Sequence, residues 1–535
     1  MSVSGPIELS AAGQPVQSGL RPLRIAENRR GVLALAALAL MGLGLILFLT
    51  RDGAGAGGDS AWYLMGAQNL LAGDGYSRFS GGGELRPITG FPPMFSMVLA
   101  GLGAVGIPPL EGARLLNPLL FGAAILLAGT LILRISGSAW AAVLGASLLL
   151  VSFTLIELFS WVMSEPLYIV LALLSIHLLS RGVAEANRRW IAVAGLLAAA
   201  ASLTRYLGFS LLAAGGLCVL LLGQDSWKRR LANATLFLLV GGLPTLIWIG
   251  LAASGERSLA GRPLVFHPMS PALLDAYKGE LVAWVFAGQL PLPWRPRAVL
   301  AGAIAAIGPA YFVWRKIRRK PPATNRYGEV AIWILGTYLA AFAVVLLVNS
   351  LLLDAATTLG APERYLAPAY VALVVLATAL TFRLASQARY PRIAKPLAAA
   401  LGLFLVGLHL LESVETLGGP GVNLGYAGVR RDSPELVEAL EAIATDRPII
   451  SNNPELVYIL TDRPAYLLPF EFDPYSQLPR NDYEQNIRST RVRLEDGGVL
   501  VIFGNPDDEA IQAMEDLNVT PLTGVAGNMF YGAAP

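Results

Sequence analysis

Cysteine, histidine and charge are all scarce in this 535-residue chain, and each scarcity removes a class of function. The only cysteine, Cys218, lies in an apolar run, so the chain can form no internal disulfide and no cysteine metal centre. The three histidines, His177, His267 and His409, are scattered, which argues against a histidine metal cluster. Charged residues make up 14% of the chain, where soluble domains carry about 25%. Hydrophobic residues make up 55%. That balance describes a polytopic α-helical membrane protein, for which length is no guide to domain number.

The small net charge of +3 hides a division. Residues 418–535 carry 8 basic and 18 acidic side chains, hence −10, which leaves +13 for the rest. The basic excess lies in short loops between apolar runs, where it reports topology, so no nucleic-acid partner is expected.

The first apolar run is Gly31–Thr50. Others follow near 112–133, 139–157, 162–180, 190–204, 207–223, 231–252, 298–314, 330–349, 366–382 and 396–411, about eleven spans in all. Arg29-Arg30 precede the first run and predict a cytoplasmic N-terminus. Arg134, Arg181/Arg188/Arg189, Lys228-Arg229-Arg230, the basic cluster at 315–320 and Arg383/Arg389/Arg392/Lys395 then all fall on that side. An odd number of spans places the acidic C-terminal segment outside, in a multi-pass protein of the plasma membrane. Ala54-Gly55-Ala56 has the look of a signal-peptide cleavage site, but the preceding run is about 20 residues long, and a retained span is expected. Residues 1–30 read as a disordered cytoplasmic tail, 31–415 as the transmembrane domain and 418–535 as a small extracytoplasmic α/β domain.

Polar residues in the apolar part gather at the outer ends of the runs. Glu157, Glu165, Arg205, Asp354, Glu363 and Arg364 lie there, with Asp59, Arg86 and Arg114 in the same layer. His177 is the exception, toward the cytoplasmic half. An ion pathway would need polar groups at successive depths, whereas this layer describes a cavity open to the outside. Read one at a time, the same residues are equally well interfacial snorkellers or ion pairs.

The first outer loop, 51–111, contains two apolar stretches. Asp59 is placed to cap Ser60–Ala72, which Gly73-Asp74-Gly75 ends. Pro92-Pro93 opens Met94–Val105, and Gly106-Ile107-Pro108-Pro109 ends it. Both read as short interfacial helices roofing the cavity. Ser80-Gly81-Gly82-Gly83 reads as a mobile section between them. In the C-terminal segment, Ser433-Pro434-Glu435, Asn453-Pro454-Glu455 and Pro506-Asp507-Asp508 are helix starts. Pro448–Ser451 and Val499–Phe503 are buried strands.

These pieces together resemble the GT-C glycosyltransferases, which use polyprenyl-phosphate-linked sugars. Protein O-mannosyltransferases, lipid A aminoarabinose transferases and rhizobial core galacturonosyltransferases are the branches in question. The resemblance rests on Asp59 and Tyr63 after the first span, then Ala67-Gln68-Asn69-Leu70-Leu71-Ala72-Gly73-Asp74-Gly75-Tyr76 and Gly90-Phe91-Pro92-Pro93-Met94. It continues through Met163-Ser164-Glu165-Pro166, Leu203-Thr204-Arg205-Tyr206 and Glu363-Arg364-Tyr365-Leu366-Ala367-Pro368. Ile450-Ser451-Asn452-Asn453-Pro454 and Tyr458–Ala465 add a likeness to the galacturonosyltransferase branch, so the match runs over about residues 31–470.

The resemblance implies transfer of a sugar from a polyprenyl-phosphate donor to an acceptor hydroxyl on a glycan, lipid or protein, at the bilayer's outer face. It implies Asp59 as general base and arginines at the departing phosphate. Arg205 and Arg364 are the first candidates for that phosphate, then Tyr365, Arg86 and Arg114. Glu165, Glu363 and Tyr63 would orient them, and an Arg205–Glu165 structural pair is nearly as good a reading. One departure stands out: protein O-mannosyltransferases carry Asp-Glu where this chain has Asp59-Ser60, and Glu84, later in the loop, lacks a matching context. Some multispan relatives use a divalent metal and others do not, so neither case is excluded. No Gly-x-Gly-x-x-Gly after a strand and no Asp-x-Asp demands a nucleotide sugar. A transporter of lipid-linked glycans and a non-catalytic membrane scaffold are the alternatives; the lack of an internal repeat weakens the first.

Overall fold

A computed structural model describes residues 29–80, 84–255, 265–266, 268–287, 325–352, 362–418, 424–472 and 478–533. The expectations for residues 1–28, 81–83 and 298–314, and for His267 and Asp354, lie outside these residues. Each of the other ten apolar runs forms helix.

Helix α1 (Arg29–Leu49) leads into the first loop, which holds α2 (Gly58–Ala72), a hairpin of β1 (Ser77–Ser80) with β2 (Glu84–Pro87), and α3 (Met94–Ala104). Gly73 ends α2 at φ +89°, the left-handed turn that favours glycine. The start of α2 differs from the expected aspartate cap. Gly57 is the cap residue, and the Ser60 hydroxyl accepts from its N–H at 3.0 Å. Asp59 therefore sits inside the first turn with its carboxylate available for other partners.

Beyond the loop, α4 (Pro109–Ser136) begins with proline in its first turn and ends at Gly137. α5 (Ala139–Leu150) and α6 (Phe153–Ser160) are bent by 58°. α7 (Glu165–Ala184) precedes α8 (Arg188–Thr204) and α9 (Gly208–Leu222), which meet at an extended Arg205. α10 (Trp227–Gly255) and α11 (Pro271–Phe286) follow, then α12 (Arg326–Leu352), α13 (Pro362–Gln387) and α14 (Pro391–Gly418). Among the described residues seven helices are long and apolar enough to cross a bilayer, or eight with the bent pair taken as one span. The count falls below eleven because 139–157 breaks into the bent pair, α8 and α9 have only 17 and 15 residues, and 298–314 is not described.

The packing requires a membrane. The apolar stretches of α1, α10 and α14 are only 22%, 22% and 17% buried, leaving Leu40, Phe48, Leu251 and Phe404 exposed. An apolar surface that broad is stable against hydrocarbon and not against water. α7 and α13 are 72% buried and form the centre. Their first turns carry Glu165 and Arg364 at one end of the bundle. Well along α13 from Arg364, Arg383 pairs with Glu329 of α12 in the interior. His177 is satisfied locally: its Nδ1 accepts from the Tyr327 hydroxyl at 2.7 Å and its Nε2 donates to the Leu127 carbonyl at 2.9 Å. These contacts account for it as a packing residue.

The C-terminal segment forms α15 (Tyr426–Asp432), α16 (Pro434–Glu441), β3 (Ile449–Ser451), α17 (Pro454–Thr461), β4 (Tyr466–Leu467), α18 (Tyr483–Glu495), β5 (Val499–Ile502), α19 (Asp508–Leu517), β6 (Val519–Val525) and β7 (Asn528–Ala533). The sheet order is β4-β3-β5-β7-β6, parallel over the first three strands and antiparallel beyond. Alternation in the central strands divides the core. Ile449, Val499 and Val501 pack on α16 and α17, while Ile450, Leu500 and Ile502 pack on α18 and α19.

Candidate active site

The backbone that leads to Asp59 is gripped from two sides. The Gly55 N–H donates to the Ser160 carbonyl at 2.9 Å, and the Val162 N–H to the Gly55 carbonyl at 2.7 Å. On the other side the Ala56 N–H donates to Leu424 at 3.1 Å and the Tyr426 N–H to Ala56 at 2.8 Å. The Trp161 indole covers this crossing. A Cβ at Gly55 would lie 2.6 Å from its ring and one at Gly57 3.1 Å, so a side chain at Gly55 is excluded and one at Gly57 is crowded.

From this anchorage the Asp59 carboxylate reaches the Arg364 guanidinium and forms an ion pair through Arg364 Nη2. Arg364 Nε donates at 2.5 Å to Glu165, which is fully buried. Arg205 Nη1 lies 2.7 Å from the same Glu165 oxygen and donates to the Ser164 hydroxyl at 3.0 Å. Ser164 also bonds the Tyr63 hydroxyl at 2.9 Å. Burial first, and then the Asp59 charge, push the Tyr63 hydroxyl well above its ordinary range, so it stays neutral. The Tyr365 ring lies 5.7 Å from the Arg205 guanidinium and 5.6 Å from that of Arg364, within cation–π range of both.

Arg205, Arg364, Tyr365 and Asn349 line a 310 Å³ cavity. The remaining wall is largely apolar, with Phe209, Ile249, Val345 and Leu346 supplied by α9, α10 and α12. Arg205 is the one side chain here with an unanswered donor: its Nε is shielded from solvent and has no hydrogen-bond partner. Such a site suits an anionic head carried on an apolar tail, because the guanidinia satisfy the first and the helices the second.

The structure thus brings together Asp59, Tyr63, Glu165, Arg205, Arg364 and Tyr365. It leaves three expected residues aside. Arg86 is exposed on β2 and pairs with Glu84 at 3.6 Å, and Arg114 pairs with Glu111 at 2.5 Å one turn away; neither lines the cavity. Both are local charge pairs, satisfied within their own element. Glu363 is half-buried and, among the described residues, joins neither arginine in an ion pair; its charge acts instead on Glu280. Ser164 and Asn349 escaped sequence reasoning, because an isolated serine or asparagine carries no spacing signal. No three His, Cys, Asp or Glu side chains among the described residues converge as metal ligands would.

The acidic C-terminal segment borders this site. Trp62 Nε1 donates to Glu455 of α17 at 3.0 Å, and Tyr458 packs against Ala61 and Met65 of α2. The Arg78 guanidinium covers the Trp62 ring at 3.9 Å.

No family model matches the sequence, and no curated protein matches it. Solved structures do. Apo ArnT from Cupriavidus metallidurans is 16% identical, over 95% of this chain and 98% of that one, at a TM-score of 0.49. The same protein bound to undecaprenyl phosphate is 17% identical, over 94% and 98%, also at 0.49. The apo oligosaccharyltransferase of Archaeoglobus fulgidus is 13% identical, over 88% of this chain and 69% of that one, at 0.50. The likeness is one of fold.

Proposed function

We propose that this chain is an integral-membrane glycosyltransferase that moves a sugar from a polyprenyl-phosphate donor to an acceptor hydroxyl on a lipid, glycan or protein. The observation that carries the reading is the cavity itself. Two arginines, one with an Nε that has no partner among the described residues, line a largely apolar cavity, and one of them pairs with a carboxylate held on a fixed backbone. The shared fold with an oligosaccharyltransferase is in keeping with it.

In this reading the lipid chain lies along Phe209, Ile249 and Val345 and the phosphate meets Arg205 and Arg364. The acceptor oxygen attacks the anomeric carbon and forms the new glycosidic bond. The carbon–oxygen bond to the phosphate breaks, and its electron pair goes to the phosphate oxygen. Asp59 takes the proton from the acceptor hydroxyl. The arginines stabilise the charge that grows on the departing phosphate. Glu165 holds both guanidinia in place, Ser164 and Tyr63 brace Arg205, and Tyr365 packs beside the pair. The basic loops support a cytoplasmic N-terminus, with this site and the C-terminal sheet on the outer face of the plasma membrane.

Reconstitution into liposomes with a panel of polyprenyl-phosphate sugars and acceptors tests the reading. A glycosylated acceptor and free polyprenyl phosphate are expected for one donor. Neither turnover nor donor hydrolysis with any donor contradicts it.

A further inference from the structure

We infer that Arg364 is exchanged between Asp59 and the donor phosphate, so that donor binding itself frees the base. This rests on the donor reading of the cavity. The first argument is charge. Asp59 and Glu165 carry two negative charges, Arg205 and Arg364 two positive, and those arginines are the only charged residues among the described lining of the cavity. The quartet is neutral among the described residues, so a phosphodiester that enters competes with the two carboxylates for the guanidinia.

The second argument decides which carboxylate yields. Glu165 is fully buried and held by both arginines, at 2.5 and 2.7 Å. Losing either arginine would leave its buried charge only partly compensated. The Asp59 side chain is 28% exposed, so water can take over its solvation, and Arg364 is the arginine it shares an ion pair with. Arg364 meets the two acids through different nitrogens, Nε to Glu165 and Nη2 to Asp59. The Nε contact can persist as a pivot while Nη2 turns to the phosphate.

The exchange also suits the transfer step. As Asp59 takes the acceptor proton it becomes neutral and can no longer draw Arg364 back from the phosphate. At the same moment the phosphate oxygen receives the electron pair of the breaking bond and gains a negative charge. The total charge at the site stays constant while the pull on Arg364 moves from base to leaving group. Arg364 thereby couples deprotonation of the acceptor to departure of the lipid phosphate.

Binding of undecaprenyl phosphate to the full chain in phosphatidylcholine nanodiscs tests this without turnover. Asp59→Asn removes the competitor and is expected to bind roughly five- to tenfold tighter than wild type, with Asp59→Ala changing in the same direction. Arg364→Gln is expected to bind more weakly, and Asp59→Asn to bring no gain in that background. Thermal unfolding verifies that each variant is folded. Equal affinity of wild type and both Asp59 variants, with Arg364→Gln weakened, overturns the exchange and leaves the donor site standing. A gain that survives in the Arg364→Gln background means simple repulsion and also overturns the exchange. Failure of every folded protein to bind overturns the donor reading, and the exchange with it.

Discussion

Asp59 is held by Arg364, 305 residues further along the chain, and this contact joins the first loop to the core of the bundle. Arg364 in turn holds Glu165, so one guanidinium ties together α2, α7 and α13. A lysine presents a point charge and cannot hold two carboxylates and a phosphate with a planar fork. Arg364→Lys should lower kcat by about 10²–10³-fold, the usual cost of losing one group aimed at developing charge. Comparing kcat with undecaprenyl phosphate affinity measures how much of the loss falls on chemistry.

Ser60, the residue after Asp59, serves the start of α2. It is fully buried and its hydroxyl accepts from Gly57 N–H. Ser60→Ala should cost about 1 kcal/mol through the lost cap. Ser60→Glu should destabilise more, by burying a charge, and should not raise transfer. Thermal unfolding of both variants, with transfer assays, checks this.

Gly425 lies where the C-terminal segment bonds the backbone that leads to Asp59, between Leu424 and Tyr426, which both bond Ala56. Its φ is +55°, and a Cβ there would lie 2.6 Å from the Trp161 ring. Gly425→Ala should therefore loosen the C-terminal segment from α2 and lower transfer while the membrane bundle stays folded. Limited proteolysis should show faster cleavage near residues 424–426, by roughly tenfold for a strain near 1.4 kcal/mol.

Glu280, on α11 and outside the long apolar spans, should make stability depend on pH. Burial raises it, Glu363 and Glu412 raise it further, and the Trp284 indole N–H donated to it at 2.9 Å opposes them; the result is about 7. The folded carboxyl holds its proton more tightly than the unfolded one. Stability therefore falls as pH rises from the ordinary value of 4.5 through 7, and the cost is complete above that. Glu280→Gln should raise stability by about 1 kcal/mol at pH 8 and by little at pH 5. Thermal unfolding at the two pH values measures it, and an equal shift at both contradicts the account.

The sequence made the charged members of the site legible because charge is expensive in an apolar run. Asp59, Glu165, Arg205 and Arg364 stood out for that reason, and the structure brings them together. Arg86 and Arg114 lie apart from the cavity because each pairs with an acid two or three residues away, Glu84 in one case and Glu111 in the other, which membership of the outer polar layer does not reveal. Asp59 looked like a cap because aspartate favours that position, but Gly57 and Ser60 perform the capping. In the C-terminal segment the buried strands and the proline-led helices were visible. α18 was not, since its apolar positions are few, and Pro521, Gly524 and Gly532 interrupt the alternation of β6 and β7. Contacts such as Trp62 to Glu455, 393 residues apart, depend on tertiary packing and have no local signature.

The central claim is that Asp59 accepts the acceptor's proton, and asparagine at that position keeps the shape while removing the base. The decisive measurement is single-turnover transfer by wild type and Asp59→Asn, reconstituted with the active polyprenyl-phosphate sugar at saturating donor. The account predicts a loss of about 10²–10⁴-fold in the chemical step, with undecaprenyl phosphate still bound by the variant. Full transfer by Asp59→Asn would contradict it.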